Sequence, residues 1–485
     1  MSINAASIDT GLGFDPATRL FTQLIDGQLV RGAGEIPVVD PASDAPFATA
    51  PTANAEQLDL AVAAARRAAV SWRRTAWDER AAIVGRVADV LEANLEVLAK
   101  LTTLEQGKPL AEARDDVQWA ADFARHFAGT RLDPKIARDD ADAYVEIRYD
   151  PIGVVGAICP WNFPLFQAVY KLAPALVTGN TMVLKPAPTT PIATLYFAEL
   201  IAEVVPAGVF NVVGDSGDLG RLLTDHPGID KVSFTGSTAV GRRVMAASAP
   251  QLKRLTLELG GNDAAIVLDD ADIEKTAKGI YTWSFANAGQ VCVSIKRIYA
   301  PASIYDDLAS EIARLASETI LGHGLDPATG MGPVQNSRQY SAAAEWLRLA
   351  AAHGNVIAGG SLEDRPGYFV QPTVVRDITE DNPLLTEETF GPVRSIVKYD
   401  DIEDALARAN NTPYGLGGSV WGTDVERATA VASRLETGTS WVNHHFALTP
   451  DVPFGGHKQS GIGVEFGTEG LQEFTEVHVV NVSRS

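Results

Sequence analysis

The chain is poor in sulfur: two cysteines, Cys159 and Cys292, and four methionines in 485 residues. That rules out a disulfide framework and points to a reducing compartment, read here as the cytoplasm. No stretch approaches the roughly 18 consecutive apolar residues of a membrane-crossing helix, and residues 1–20 lack a basic start followed by an apolar run. Basic residues are also scarce. With 40 Lys and Arg against 61 Asp and Glu the formal charge is −21, which argues against nucleic acid or an anionic membrane as partner, because both require clustered cations. His444, His445 and His457 have no cysteine nearby, and the adjacent pair lacks helical i, i+4 spacing, so no metal is expected. The sequence contains no G-x-G-x-x-G fingerprint, P-loop, fixed-period repeat or heptad run.

What remains is an ordinary globular composition, 46% hydrophobic and 21% charged, in a chain longer than one core accommodates; two or three domains are expected. Residues 24–28 suggest a strand and turn. Asn54 and Gln57 suggest a capping box opening an Ala-rich helix, and Ile83, Val87, Leu91, Leu95 and Leu98 share one face of a second. Glu105-Gln106-Gly107-Lys108-Pro109 ends the helical pattern before a third amphipathic stretch. Val145, Ile147 and Tyr149 alternate with Glu146 and Arg148, the signature of a strand with one wet face and a candidate sheet edge. Apolar runs at 152–158, 181–184, 209–213 and 232–234, separated by helical stretches, predict a parallel doubly wound sheet, with ligands at the carboxyl ends of its strands. Runs at 264–268, 295–299, 393–397 and 440–442 predict a second α/β domain. The strand-like stretch 476–482 needs a neighbour for its amides, a place that another subunit could fill.

Several segments could carry chemistry. In Phe285-Ala286-Asn287-Ala288-Gly289-Gln290-Val291-Cys292 a glycine lets a helix stop and sets a cysteine on a loop within reach of backbone amides. Alone, this fits a packing cysteine as well as a nucleophile. Prolines on both sides of Asn162 in Pro160-Trp161-Asn162-Phe163-Pro164 would hold a carboxamide able to donate to an oxyanion, or simply build a rigid turn. Glu258, between apolar residues and two glycines, is a candidate general base if buried and a plain surface carboxylate otherwise. Phe234-Thr235-Gly236-Ser237 opens a helix whose amides could receive a phosphate, and Lys185-Pro186 sets a cation at a strand end.

These segments, together with Glu105-x-Gly107-Lys108-Pro109, Leu257-Glu258-Leu259-Gly260-Gly261, Glu388-x-Phe390-Gly391-Pro392 and Pro453-Phe454-Gly455-Gly456-x-Lys458-x-Ser460-Gly461, resemble the aldehyde dehydrogenase superfamily over nearly the whole chain. The resemblance implies an α/β fold with a Rossmann-like NAD(P)-binding domain (1–131 and 151–260), a catalytic domain with the cysteine nucleophile (261–442), oligomerisation strands (132–150 and 471–485), and a substrate loop and return segment (443–470). It also implies a homodimer or homotetramer. Cys292 would attack the aldehyde carbon, Asn162 and the Cys292 N–H would hold the oxyanion, and Glu258 would activate the water that hydrolyses the thioester. The cofactor would be surrounded by Trp161, Lys185, Phe234, Gly236, Ser237 and Val240, with Ile158 and Leu259 beside them, while Glu388 and Phe390 would position the nicotinamide ribose and ring.

One departure concerns cofactor choice. Many NAD-preferring members follow Lys-Pro with a small residue and a Glu that takes the ribose hydroxyls; here Lys185-Pro186-Ala187-Pro188 puts Pro188 in its place. NAD is expected, with NADP admitted, since no Arg adjoins Pro188 in sequence to clamp a phosphate. Phe163, Phe166, Gln167 and Tyr170 at helical spacing, Val291 and Val293 around the nucleophile, and His445 and Phe446 in the loop suggest a largely apolar, aromatic-lined tunnel for an aromatic or medium-chain aliphatic aldehyde. The competing readings are a CoA-acylating semialdehyde dehydrogenase, against which Glu258 counts, and a catalytically idle NAD(P)-binding relative, against which the intact Cys292, Glu258 and Asn162 count.

Overall fold

A computed structural model describes residues 11–484; the first half of the 1–20 leader, and Ser485, lie outside the described residues. The mixed α/β chain forms two large sheets, one small sheet and a hairpin. The first large sheet has eight strands in the order Gly461–Ile462, Arg254–Glu258, Lys231–Thr235, Val154–Ile158, Thr181–Lys185, Phe210–Val212, Gln23–Ile25, Gln28–Val30. Its five central strands, Arg254–Glu258 through Phe210–Val212, are parallel, and those at both margins are antiparallel. The central strands Lys231–Thr235, Val154–Ile158 and Thr181–Lys185 are buried throughout, as continuous apolar runs covered on both faces require.

The second sheet runs Asn355–Ala358, Thr373–Arg376, Val393–Tyr399, Ile295–Pro301, Asp263–Val267, Gly417–Trp421, Thr439–Val442, parallel apart from its first strand. Only Leu259 to Asn262 separate the Glu258 end of the first sheet from the Asp263 start of the second. Strand ends of the first sheet therefore face strand starts of the second. Cys292, three residues ahead of the Ile295–Pro301 strand, falls into the gap between them, because Ile295 is in register with Asp263.

Three local expectations change. The stretch 143–151 is not an edge: it is the middle strand of a three-stranded antiparallel sheet, between Lys135–Asp139 and Thr475–Ser483. The Lys135–Asp139 strand is exposed at every residue and so shows no alternation to read. The second helix is two, Trp77–Ala93 and Leu95–Gln106, broken at Asn94. The capping box is half formed: Asn54 accepts from the Gln57 N–H, but the Gln57 amide turns away to the Arg31 carbonyl. Among the described residues no helix is long and apolar enough to cross a membrane.

Candidate active site

The Ile273–Phe285 helix ends in a turn where Asn287, Ala288 and Gly289 all take left-handed φ, at 51°, 54° and 72°. Three such residues in a row reverse the chain tightly, and Ala288 does so against a steric cost of about 1–2 kcal/mol. Gly289 has no alternative: an ideal Cβ there would lie 2.4 Å from both Arg394 Nη2 and the Gly391 carbonyl. Two buried cations, neither suggested by the sequence motifs, hold the loop. Arg394 donates from Nε to Ser284 O at 2.9 Å, from Nη1 to Gly391 O at 2.7 Å, and from Nη2 to Gly289 O and Ser294 Oγ, both at 3.0 Å. Lys296 donates to the Cys292 carbonyl at 2.6 Å and the Val291 carbonyl at 3.1 Å. The available signal was a charged side chain inside an otherwise apolar strand run, since a buried charge in a strand must have partners.

Asn162 is tied to this loop from both ends. Its Nδ2 donates to Gln290 O at 3.0 Å, its carbonyl accepts from Asn287 Nδ2 at 3.0 Å, and its Oδ1 accepts from Gln167 Nε2 at 3.3 Å. One amide hydrogen of Asn162 is left over, as an oxyanion donor requires. Asn162, Gln167, Cys292, Gly260, Glu388 and Phe390 are among the residues lining one cavity of about 180 Å³.

Glu258 ends the Arg254–Glu258 strand and is 4% exposed, so the surface reading fails. Its Oε1 has no hydrogen-bond partner. Burial pushes its carboxyl well above the ordinary range, and the neighbouring Glu465 adds to the rise against the opposing Lys171. That lysine is paired with Glu465 at 2.7 Å. The Cys292 thiol is likewise pushed up to about 12, chiefly by burial and then by Glu258, Asp263 and Glu388, with Lys296 alone pulling down. Cys159 is buried, and both cysteines are free.

On the first sheet's side a cleft of about 800 Å³ is lined by Ile158, Trp161, Lys185, Phe234, Gly236, Ser237 and Val240; Leu259, Glu388 and Phe390 belong to the Cys292 cavity. Ser237 caps the Thr238–Ser248 helix by position only, with no side-chain bond, so first-turn amides remain open to an anion. Lys185 pairs with Asp215 at 2.8 Å. Glu388 accepts from the Gly261 N–H at 3.1 Å and lies 3.8 Å from Lys296. Although no arginine adjoins Pro188 in sequence, Arg221, Arg243 and Arg338 share the cleft wall with it. Volume, helix terminus and excess of cations fit a dinucleotide.

On the opposite side a second cavity, of about 260 Å³, is lined by Phe163, Val291 and Phe446 among others. The other residues expected in the tunnel take different positions. Gln167 lines the Cys292 cavity. Phe166 and Tyr170 face the core: Phe166 meets Phe123 at 5.0 Å between ring centroids, and Tyr170 meets Phe466 at 5.1 Å. The residues at helical spacing are divided: Phe163 and Gln167 line cavities, and Phe166 and Tyr170 pack in the core. Val293 and His445 are fully buried behind the nucleophile loop, where the His445 Nε2 lies 2.5 Å from the Val293 carbonyl and 3.4 Å from Asp263. The tunnel is not uniformly apolar either, since Glu112, Asp115 and Asp116 join its wall.

Comparison with known proteins bears on this geometry. The model of the aldehyde dehydrogenase family matches residues 29–480. The chain is 39% identical over 470 residues to the succinate-semialdehyde dehydrogenase (NADP+) GabD of Escherichia coli, covering 95% of this chain and 98% of that one. It is 37% identical over 492 residues to an aldehyde dehydrogenase of Aspergillus niger, at 99% and 98% coverage. Among solved structures, the NAD+ complex of an aldehyde dehydrogenase from Bacillus cereus superposes with a TM-score of 0.94 at 37% identity, covering 96% of this chain and 97% of that one.

Proposed function

From the chain's membership of the aldehyde dehydrogenase family, we propose that it oxidises an aldehyde to the free carboxylic acid through a covalent adduct on Cys292. The observation that carries this reading is the single cavity shared by Cys292, Asn162 and the Glu388–Phe390 segment, with the buried Glu258 in electrostatic contact with the thiol. Cys292, once deprotonated, adds to the aldehyde carbon, and the free amide hydrogen of Asn162 with the Cys292 N–H takes the developing oxyanion, each donor worth about 3 kcal/mol. The nicotinamide, when bound, accepts the hydride that leaves this carbon. Glu258 then takes a proton from water attacking the thioester; a carboxyl raised by burial is basic enough for that task. Lys185, Ser237 and the Thr238–Ser248 helix amides hold the diphosphate end, and Glu388 the nicotinamide ribose.

Both dinucleotides are taken as cofactors. Pro188 supplies no carboxylate against a 2′-phosphate, and the cleft carries four cations (Lys185, Arg221, Arg243, Arg338) against two carboxylates (Asp215, Asp225). The substrate body is aliphatic or aromatic, packed on Phe163 and Phe446, and no arginine lines that cavity to hold a second carboxylate. The protein works as a homodimer or homotetramer: the exposed Val477, Val479 and Val482 on the Thr475–Ser483 edge strand offer a pairing surface. Two free thiols suit the cytoplasm.

The test is aldehyde-dependent reduction of NAD and NADP with product analysis. Free acid without added CoA, and Cys292→Ala inactive yet still binding dinucleotide, is the expected outcome. A CoA requirement would move the protein to the acylating class. Activity persisting in Cys292→Ala would refute the adduct.

A further inference from the structure

The cavity beyond Phe163 and Val291 has a composition that the oxidation itself leaves unexplained. Three carboxylates, Glu112, Asp115 and Asp116, lie in its wall, and no lysine or arginine does. Rings surround them. Phe446, in the left-handed conformation at φ 59°, stands 5.8 Å from Trp119, 4.9 Å from Trp283 and 6.2 Å from Phe163, centroid to centroid. A cage of aromatic faces with anionic groups behind it attracts a cation and gains little from a neutral chain end.

Two further acceptors are left without donors. Asp116 Oδ1 and Asn287 Oδ1 have no hydrogen-bond partner, though their residues are 1% and 2% exposed. A buried acceptor left bare is destabilising, so a ligand bringing N–H groups is favoured there. The positive charge on hand is one lysine: Lys108, fully buried, pairs with Asp116 Oδ2 at 2.6 Å and lies 3.8 Å from the Phe163 ring centroid. It does not suffice. Burial still holds Glu112 up at about 7 and Asp116 at about 6 and raises Asp115, each opposed by Lys108. Asp115 makes no hydrogen bond or ion pair with the described residues. Nor do these carboxylates form a metal site, since the described residues contain no group of three ligands placed to hold a metal ion.

We propose that this cavity receives the protonated amine of an ω-amino aldehyde, the ammonium among Glu112, Asp115, Asp116 and the rings, and the chain running between Phe163 and Val291 to Cys292. The proposal rests on the aldehyde-oxidising reading above and specifies its substrate. A primary ammonium is favoured over a quaternary one, because only the former donates to Asp116 Oδ1 and Asn287 Oδ1. Nothing is transferred at this end; it fixes which aldehydes reach the thiol.

The test compares kcat/KM for ω-amino aldehydes of three to six carbons, each against the n-alkanal of equal heavy-atom length, and against its trimethylammonio counterpart. At one chain length the primary ammonium should exceed its neutral isostere by about tenfold or more, and should also exceed the trimethylated aldehyde. Asp115→Asn, at an exposed position with no partner to disturb, should lower the ammonium-to-alkanal ratio at least about threefold; Glu112→Gln is the second variant. Alkanals oxidised as well as amino aldehydes at every length, or a ratio unchanged in both variants, would overturn the proposal. If no aldehyde of any kind were oxidised, the reading beneath it would fall instead.

Discussion

Replacing Gly260 by Ala tests how the cofactor side is built. Gly260 has no left-handed φ, so the substitution adds a methyl group without backbone strain. That methyl would fall 2.1 Å from Glu388 Oε2 and 2.8 Å from its Cδ. Ordinary contact begins near 3.4 Å, so the carboxylate must retreat by about 1.3 Å (3.4 less 2.1). Its anchor cannot follow: Glu388 Oε1 accepts from the Gly261 N–H at 3.1 Å, and a retreat of that size takes the bond beyond hydrogen-bond range. A hydrogen bond to a charged group is worth about 1.5–3 kcal/mol, which converts to roughly a 10- to 150-fold loss in kcat/KM for the dinucleotide. Initial rates over a cofactor titration measure it, with the rate of Cys292 alkylation as a check that the nucleophile loop is intact. The mechanism of the loss is read from a double-mutant cycle. In a Glu388→Ala background the methyl has nothing to displace, so Gly260→Ala should add almost no further loss. Additive losses in the cycle, or a wild-type Gly260→Ala, would refute the reasoning.

The remaining predictions concern chemistry, cofactor and stability. Glu258→Gln should keep a burst of about one reduced cofactor per active site while steady-state turnover falls by roughly 10²–10⁴; loss of the burst would put Glu258 in the first half-reaction. Because burial raises the Glu258 carboxyl and only its ionised form can accept a proton, wild-type steady-state turnover should climb with pH through a pKa above the usual carboxylate range, and this limb should vanish in Glu258→Gln. Arg243→Glu, replacing a cation in the cleft by an anion, should shift the NADP-to-NAD preference toward NAD by about tenfold; an unmoved ratio would take Arg243 out of cofactor discrimination. Arg394→Met strips the guanidinium donors from the Ser284, Gly289 and Gly391 carbonyls, although Gly391 keeps the Val393 N–H and Gly289 the Ser294 hydroxyl; a hydrogen bond from a charged group is worth about 1.5–3 kcal/mol, so its thermal midpoint should drop by several degrees; an unchanged midpoint would mean the loop holds itself.

The two parallel sheets were legible because strands covered on both faces read as largely apolar runs: Val154–Ile158 is unbroken, and Ile295–Pro301 is interrupted by Lys296 and Arg297 alone. Gly417–Trp421 was not legible: it begins Gly-Gly-Ser, too small and polar to announce a strand, although it lies paired on both sides, between Asp263–Val267 and the edge strand Thr439–Val442. Small residues are what that place admits, for a Cβ on Gly417 would lie 2.4 Å from Asp263 Oδ2. The same limit applied at the site. Cys292, Asn162 and Glu258 could be named because each sits in a short run of distinctive neighbours. Lys296 and Arg394 could not, because what makes them matter is which distant carbonyls they reach.

The failure on the substrate side has a different cause and leads further. Periodicity put Phe166 and Tyr170 on the same helix face as Phe163, yet that face is divided between core and cavity, a distinction no spacing contains. The cavity wall is set instead by backbone conformation. Of the ten described non-glycine residues with positive φ, four, Asn287, Ala288, Asn443 and Phe446, lie in the two loops that carry Val291 and Phe446. Such conformations cost about 1–3 kcal/mol each and persist only where surrounding contacts insist on them. Those contacts exist: the Asn443 amide exchanges hydrogen bonds with Gly422, at 2.9 and 2.7 Å, and the Asn287 amide donates to the Asn162 carbonyl at 3.0 Å. A left-handed phenylalanine is a poor choice for stability alone. The left-handed backbone holds that ring at the centre of the aromatic cluster, against Trp119, Trp283 and Phe163. Phe446→Gly, which relieves the strain and removes the ring together, should therefore cost selectivity among aldehydes more than it costs thermal stability.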